Sequence, residues 1–308
     1  MTVSEREFPA PVASIRDLSD GIESLLSTIG PTLLSAREGH QFPAFDLRDV
    51  QLRYAAATAP VISGVTASFL SGDFVSIVGP SGCGKSTFLR MLAGLLVPTS
   101  GAIVRGFDSD AGRIGFVFQH PTLLPWRTAI ENLQLPLELG LRPSQRRLTY
   151  DESLGLLNQV GLKQSDVGKR PSELSGGMQM RLSLARALAT RPEVLLLDEP
   201  FAAVDDLLRM KLQDDVRRIH EDRRLTTILV THNLHEAIYL SDRVLVMSSA
   251  PSCVSGDLRV VPSGESRRSP EFRESEVFQA AVQKVSRLLF APIGPRTNNR
   301  QHQTEPAE

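Results

Sequence analysis

Short apolar runs alternate with longer helical patterns along most of the chain. FVSIV at 74–78, VLLLD at 194–198 and TTILV at 226–230 are nearly continuous in apolar character, and each leads into a polar loop and then a helical segment. Runs of this length predict strands buried on both faces, as in a parallel sheet covered by helices. Upstream, FDLRDVQLRY at 45–54 alternates apolar and polar positions, which predicts an edge strand with one buried face, and a turn and VISGVTASFLSGD follow. The expected fold class is α/β, with a mostly parallel sheet and a smaller antiparallel β subdomain.

Between residues 121 and 171 the periodicity turns helical, in ENLQLPLELGL and then YDESLGLLNQVGL, with Pro and Gly breaking it into short pieces. This predicts a helical subdomain, over about 121–190, inserted into the α/β core. Past Met247 a turn-rich stretch leads to EFRESEVFQAAVQKVSRLLF, in which Phe278, Ala281, Val282, Val285, Leu288 and Leu289 share one helical face. The expected organisation is an N-terminal extension over 1–44, a main domain over 45–250, and a C-terminal extension over 251–308. The first extension is expected to be partly disordered, with one amphipathic candidate, SIRDLSDGIESLLSTI, and the last is expected to hold a helix at about 271–290 and a polar, disordered tail.

Composition narrows the function classes. With 308 residues and 41% apolar positions the chain can bury a sizeable core. The charge balance of 34 Lys and Arg against 35 Asp and Glu gives no broad attraction to nucleic acid or anionic lipid. Two cysteines, Cys83 and Cys253, lack metal-ligand spacing and make no disulfide framework. MTVSEREFPAPVAS is not a signal-peptide pattern, and no apolar run of about 18 residues occurs, so the chain is expected to be cytoplasmic without spanning a membrane.

Gly79 to Thr87 reads GPSGCGKST, directly after FVSIV and directly before the helical FLRMLAGLL. This is a GxxxxGK[ST] phosphate loop in the strand-to-helix setting it requires. Gly79, Gly82 and Gly84 let backbone N–H groups approach phosphate oxygens, the helix N-terminus adds partial positive charge, and Lys85 reaches the outer phosphates. Ser86 offers its hydroxyl to Mg²⁺. Pro80, Ser81, Cys83 and Thr87 complete the cradle, with Cys83 a small residue in a variable slot and not a redox group.

VLLLDEP carries Asp198 and Glu199 out of a buried strand at its C-terminal end, the edge where open α/β sheets bind ligands. Asp198 suits a Mg²⁺ shell, directly or through water, and Glu199 is free to polarise a water. Gln119, after the apolar IGFVF, has an amide that binds either Mg²⁺ or the attacking water. His232, just past TTILV, is either a surface or cap residue or a hydrogen-bond donor to the terminal phosphate.

A second cradle pattern appears in ELSGGMQMRLSLARAL at 173–188, where Ser175, Gly176 and Gly177 open a helix. Ser175 suits an N-cap there. The order GPSGCGKST, Gln119, LSGGM, VLLLDEP, Asp205, His232 closely resembles the ATP-binding cassette (ABC) superfamily, over roughly residues 45–247. Other phosphate-loop enzymes lack the LSGG element. The resemblance implies a P-loop NTPase core, ATP and Mg²⁺ as cofactors, and two ATPase subunits that sandwich two nucleotides head to tail. In that arrangement Ser175, Gly176 and Gly177 contact the ATP of the partner, Asp205 lies in the loop linking the two sites, and Tyr54 stacks on adenine unless it is merely packed. Met178 replaces the more usual Gln, and FAAVD has no Ser or Gly before its second Ala; neither departure removes a catalytic group.

The implied reaction is hydrolysis of ATP by a water that Glu199 polarises, with Lys85, Mg²⁺ and the facing SGG stabilising charge. LLPWRTAIENLQLPLELG and the C-terminal helix resemble the importers of nitrate, sulfonates and taurine. That branch implies separate permease subunits, an extracytoplasmic solute-binding protein and a peripheral position at the cytoplasmic face of the inner membrane. Trp126 and its apolar neighbours then line either a groove for a partner's short helix or the interior of the helical subdomain. A lipid-trafficking ATPase shares every motif. Cassette ATPases also serve DNA repair and ribosome-associated work, but the first kind usually carries long heptad runs and the second two cassettes in one chain. Neither feature occurs in this sequence, and no nucleic-acid partner is expected.

Overall fold

Period-two alternation within the buried strands sorts their side chains onto two opposite faces of one sheet. The computed structural model describes residues 43–55, 57–107, 114–140, 146–202, 204–260 and 270–290. The amphipathic candidate near the N-terminus and the polar C-terminal tail lie outside them. A six-stranded sheet has the order β5 (Ile114–Val117), β6 (Val194–Asp198), β7 (Thr226–Val230), β3 (Phe74–Val78), β8 (Arg243–Met247), β9 (Val254–Arg259). The first five run parallel, and β9 pairs antiparallel with β8. Phe74, Leu195, Leu197, Leu229 and Val244 pack into one core, while Val75, Ile77, Leu196, Ile228 and Leu245 pack into the other. Burial on both faces is why these strands carry apolar residues at successive positions.

The second sheet is three-stranded and antiparallel, in the order β2 (Ile62–Leu70), β1 (Pro43–Leu52), β4 (Ser100–Arg105). This corrects the edge-strand expectation for FDLRDVQLRY, because β1 lies in the centre with a neighbour on each side. Phe45, Leu47, Val50 and Leu52 are buried, with a register shift between Leu47 and Val50 and a left-handed φ of 47° at Asp49. Alternation reports one buried face; it carries no record of how many strands hydrogen-bond alongside. SGAIVR, the missing neighbour, is mostly exposed and shows little apolar signal.

The helices are α1 (Lys85–Leu92), α2 (Ala129–Glu138), α3 (Tyr150–Gln159), α4 (Gly176–Ala189), α5 (Asp206–Arg223), α6 (Leu234–Leu240) and α7 (Glu276–Phe290). Leu133 and Leu137 of α2, Leu157 of α3, and Met180 and Leu184 of α4 share the core cluster that reaches the sheet. Capping boxes set the starts of two of these helices, Thr128 with Glu131 and Thr149 with Glu152. Pro136 does not break α2, contrary to the sequence expectation. Close to the helix end it removes little of the hydrogen-bond ladder. Phe278 and Val285 of α7 are buried, with Ala281, Val282, Leu288 and Leu289 packed partly against the same core. No helix among the described residues is long and apolar enough to cross a membrane.

Candidate functional site

Parallel pairing brings the C-terminal ends of β3, β6 and β7 to one edge of the sheet, with Asp198 opposite Val230 and Ile77 opposite the same Val230. The candidate loops all leave from this edge. Residues 79–84 connect β3 to α1, with φ of 74° at Gly82 and 104° at Gly84. A Cβ on Gly84 would come within 2.8 Å of Val61 Cγ1, and one on Gly79 within 2.8 Å of the Met247 carbonyl oxygen. Only glycine permits this path.

The loop is braced from beneath. Cys83 is buried, and the hydroxyl of fully buried Ser252 donates to its carbonyl oxygen. Ser252 also bridges to β2, where its N–H donates to Val61 O at 2.9 Å and its carbonyl accepts from Ser63 N at 2.8 Å. Sequence reasoning missed Ser252, which lies 169 residues from Cys83 and in no motif.

Lys85 is buried, and its ammonium donates to the Gly79 and Pro80 carbonyls at 2.9 and 3.0 Å. The loop is thereby closed around the lysine, which has a third proton to give. Ser86 Oγ donates to Asp198 Oδ1 at 2.7 Å. Asp198 is 2% exposed, and burial pushes its carboxyl above the ordinary carboxylate range against the opposing hydrogen bond from Ser86. A hydroxyl and a carboxylate held this close form a hard oxygen pair, which fits Mg²⁺.

Glu199 adopts a left-handed φ of 46° while its N–H still donates to Val230 O at 2.9 Å. The chain turns out of the sheet at that residue, and Glu199 Oε2 lies 3.1 Å from His232 Nδ1. His232 is thereby brought to the acid pair, with its side chain largely exposed. Asn233 is the cap of α6, accepting from the N–H groups of His235 and Glu236. Glu236, buried and with its carboxyl pushed up by that burial, accepts from Thr231 Oγ1 at 2.7 Å.

Other predicted residues sit around this centre. Tyr54 is 43% exposed, with its hydroxyl 3.4 Å from Thr87 Oγ1 at the start of α1, so it borders the cradle. Ser81, Gly82 and Gln119 are exposed, Gln119 just beyond the end of β5. Ser175 is the N-cap of α4, its hydroxyl accepting from Met178 N at 3.3 Å. Asp205 is the N-cap of α5, accepting from Leu208 N at 3.1 Å. A methyl placed on Gly177 would lie 3.6 Å from Val204 Cγ1 and 3.8 Å from Leu208 Cδ1, so the SGG turn and the Asp205 loop pack together.

Trp126 is 68% exposed, which removes internal packing of the helical subdomain as its role. Buried Asn132 holds the loop behind it, accepting from Leu124 N at 2.8 Å and donating to the carbonyls of Leu124, Arg127 and Thr128. Sequence reasoning does not single this residue out, since an Asn inside a helix carries no mark of burial.

Residues 62–202 match the model of a family described as ABC transporter. An aliphatic sulfonates import ATP-binding protein of Pseudomonas savastanoi pv. phaseolicola is 43% identical, over 71% of this chain and 87% of that protein. A nitrate transport protein of Klebsiella oxytoca is 35% identical, over 80% of this chain and 97% of the relative. Among solved structures, a dimeric post-hydrolysis state of the ATP-binding cassette MJ0796 bound to ADP and Pi superposes with a TM-score of 0.62 at 30% identity, covering 71% of this chain and 99% of that one.

Proposed function

Because the chain belongs to the ABC transporter family, we propose that it is the ATP-hydrolysing subunit of an importer that takes up a small solute such as nitrate, a sulfonate or taurine through separate membrane subunits. One observation carries the catalytic part of this reading: Ser86 with Asp198 at 2.7 Å and His232 with Glu199 at 3.1 Å lie at the sheet edge from which the loop closed on Lys85 also leaves. The importer part is supported by the names of relatives, which include the sulfonate and nitrate proteins and a bicarbonate transport ATP-binding protein of Synechocystis that is 36% identical over 84% of its length.

The roles of the residues follow from their placement. The backbone of 79–84 and the start of α1 receive the phosphates, and Lys85 donates to the outer ones. Ser86 and Asp198, with Gln119 as a further candidate ligand, would hold Mg²⁺, which would supply neutralisation of phosphate charge. Glu199 orients and polarises the attacking water, and His232, which stands beside that carboxylate, donates to the terminal phosphate. Ser175, Gly176 and Gly177 at the N-terminus of α4 face the nucleotide of a second copy of the chain, and Asp205 links the two sites. Tyr54 stacks on the adenine.

In this reading the subunit sits at the cytoplasmic face of the inner membrane, where the exposed Trp126 surface meets the permease and an extracytoplasmic solute-binding protein supplies the solute. The test is co-expression with candidate permease subunits, reconstitution in vesicles, and measurement of ATP-dependent uptake of labelled sulfonate, nitrate or taurine. ATP-dependent accumulation supports the proposal. An active ATPase that associates with no membrane protein, and is stimulated by nucleic acid instead, overturns the importer assignment.

A further inference from the structure

We infer that Arg209 is a positioning residue for hydrolysis, because its guanidinium joins the loop that carries Asp205 to the loop that carries His232. The inference rests on the site reading above and adds a residue that none of the motifs contains.

Arg209 lies in the first turn of α5, and its side chain donates to three acceptors and forms a longer ion pair with a fourth group. Nη2 donates to the Val204 carbonyl at 2.7 Å, Nε donates to the Phe201 carbonyl at 3.3 Å, and Nη1 donates to Asp206 Oδ1 at 2.8 Å. Nε also lies 3.8 Å from Glu236 Oε1 on α6. The Asp206 side chain is 91% exposed, so that ion pair is screened and worth little. The informative contacts are the two main-chain carbonyls and the buried Glu236.

Phe201 and Val204 are both buried, and they bracket the turn between Glu199 and Asp205. Val204 packs toward Gly177 of the second cradle. Glu236 accepts from Thr231 Oγ1 at 2.7 Å, and Thr231 directly precedes His232. One planar fork therefore holds the turn after Glu199, which supports the SGG helix, by two hydrogen bonds, and its charge faces Glu236, which through Thr231 underlies the base of the His232 loop. A lysine, as a point charge on a flexible stem, cannot hold both carbonyls and the carboxylate together. Among the described residues these bonds go to the 201–206 turn and to Glu236 and not to the cradle around Lys85, so the arginine acts on alignment and leaves nucleotide capture alone.

The test is a double-mutant cycle on the full chain with Arg209→Ala and Glu236→Gln, supplemented by Arg209→Lys. Steady-state ATPase, nucleotide affinity and thermal stability are measured for each. The expected result is a fall in kcat of about tenfold for Arg209→Ala with ATP affinity within about twofold of wild type, since small misplacements of catalytic groups are costly. Arg209→Lys lies between the two, and the double variant falls no further than Arg209→Ala. Unchanged kcat in Arg209→Ala overturns the inference, as do strictly additive effects in the cycle or losses of affinity and stability in proportion to kcat. If Arg209→Ala does not fold, Arg209→Lys and Glu236→Gln decide: reduced kcat at constant affinity in both supports the coupling, and wild-type kcat in both overturns it. Wild-type chain that fails to hydrolyse ATP indicts the catalytic reading, whereas an active wild type with an equally active Arg209→Ala indicts the positioning role alone.

Discussion

His232 Nδ1 stands 3.1 Å from Glu199 Oε2, and this contact joins two strand ends that are 33 residues apart in sequence. The left-handed backbone at Glu199 is what turns its carboxylate toward the histidine. Glu199→Gln keeps the shape and the contact but removes the base. ATP binding is therefore expected to persist while kcat falls by about 10² to 10⁴, the usual contribution of general-base help. Nucleotide titration and phosphate release measured on one preparation check this, and normal turnover would remove Glu199 from the mechanism.

Ser86 and Asp198 lie 2.7 Å apart, with the carboxylate almost wholly buried. Ser86→Ala takes away the hydroxyl and leaves Asp198 without that donor, at a cost of about 1–3 kcal/mol in stability. The Mg²⁺ concentration for half-maximal ATPase should rise by about tenfold or more. Nucleotide binding in EDTA should change little. A Mg²⁺ dependence identical to wild type would show that Ser86 supports the loop only.

Gly177 faces Val204 Cγ1 and Leu208 Cδ1 at ordinary contact distance for an added methyl, and its φ is not left-handed. Gly177→Ala should therefore fold without strain. Gly177→Asp places a carboxylate where the second cradle would meet phosphate, which opposes the helix-terminus charge. That variant should bind ATP at Lys85 with near wild-type affinity, fail to dimerise on ATP, and lose most of its hydrolysis. Sedimentation with ATP and a phosphate assay measure both effects, and wild-type hydrolysis would rule out the cross-subunit role of SGG.

What could be read in advance follows a physical divide. FVSIV, VLLLD and TTILV announce themselves because both sides of each strand are buried, and GPSGCGKST because Gly79 and Gly84 meet Met247 and Val61 closely enough to exclude a side chain. The central place of β1 was illegible, since a neighbouring strand adds hydrogen bonds and leaves the side-chain pattern of Phe45, Leu47 and Val50 unchanged. Arg209, Asn132, Ser252 and Glu236 were equally hidden. Each is tied to a main-chain atom or a hydroxyl whose position is fixed only once the surrounding turns and helices have folded.

His220 of α5 is buried against Phe74, their rings 5.0 Å apart, with Nδ1 3.0 Å from Thr227 Oγ1. Burial first, and then the nearby Arg217 guanidinium, lower its pKa to about 4, with Asp242 opposing. The unfolded chain holds this proton near the ordinary value of 6.5, so between that pH and about 4 the unfolded state binds more protons than the folded one. Stability from this group is complete above about pH 6.5 and is lost as the pH falls toward 4, by about 2 kcal/mol at pH 5. His220→Gln has no titrating ring. It lowers stability at neutral pH through lost packing, yet should flatten the difference between urea midpoints at about pH 7.5 and about pH 5 by roughly that amount. Equal pH slopes in wild type and variant would mean that the ring is charged, or reaches water, in the folded protein.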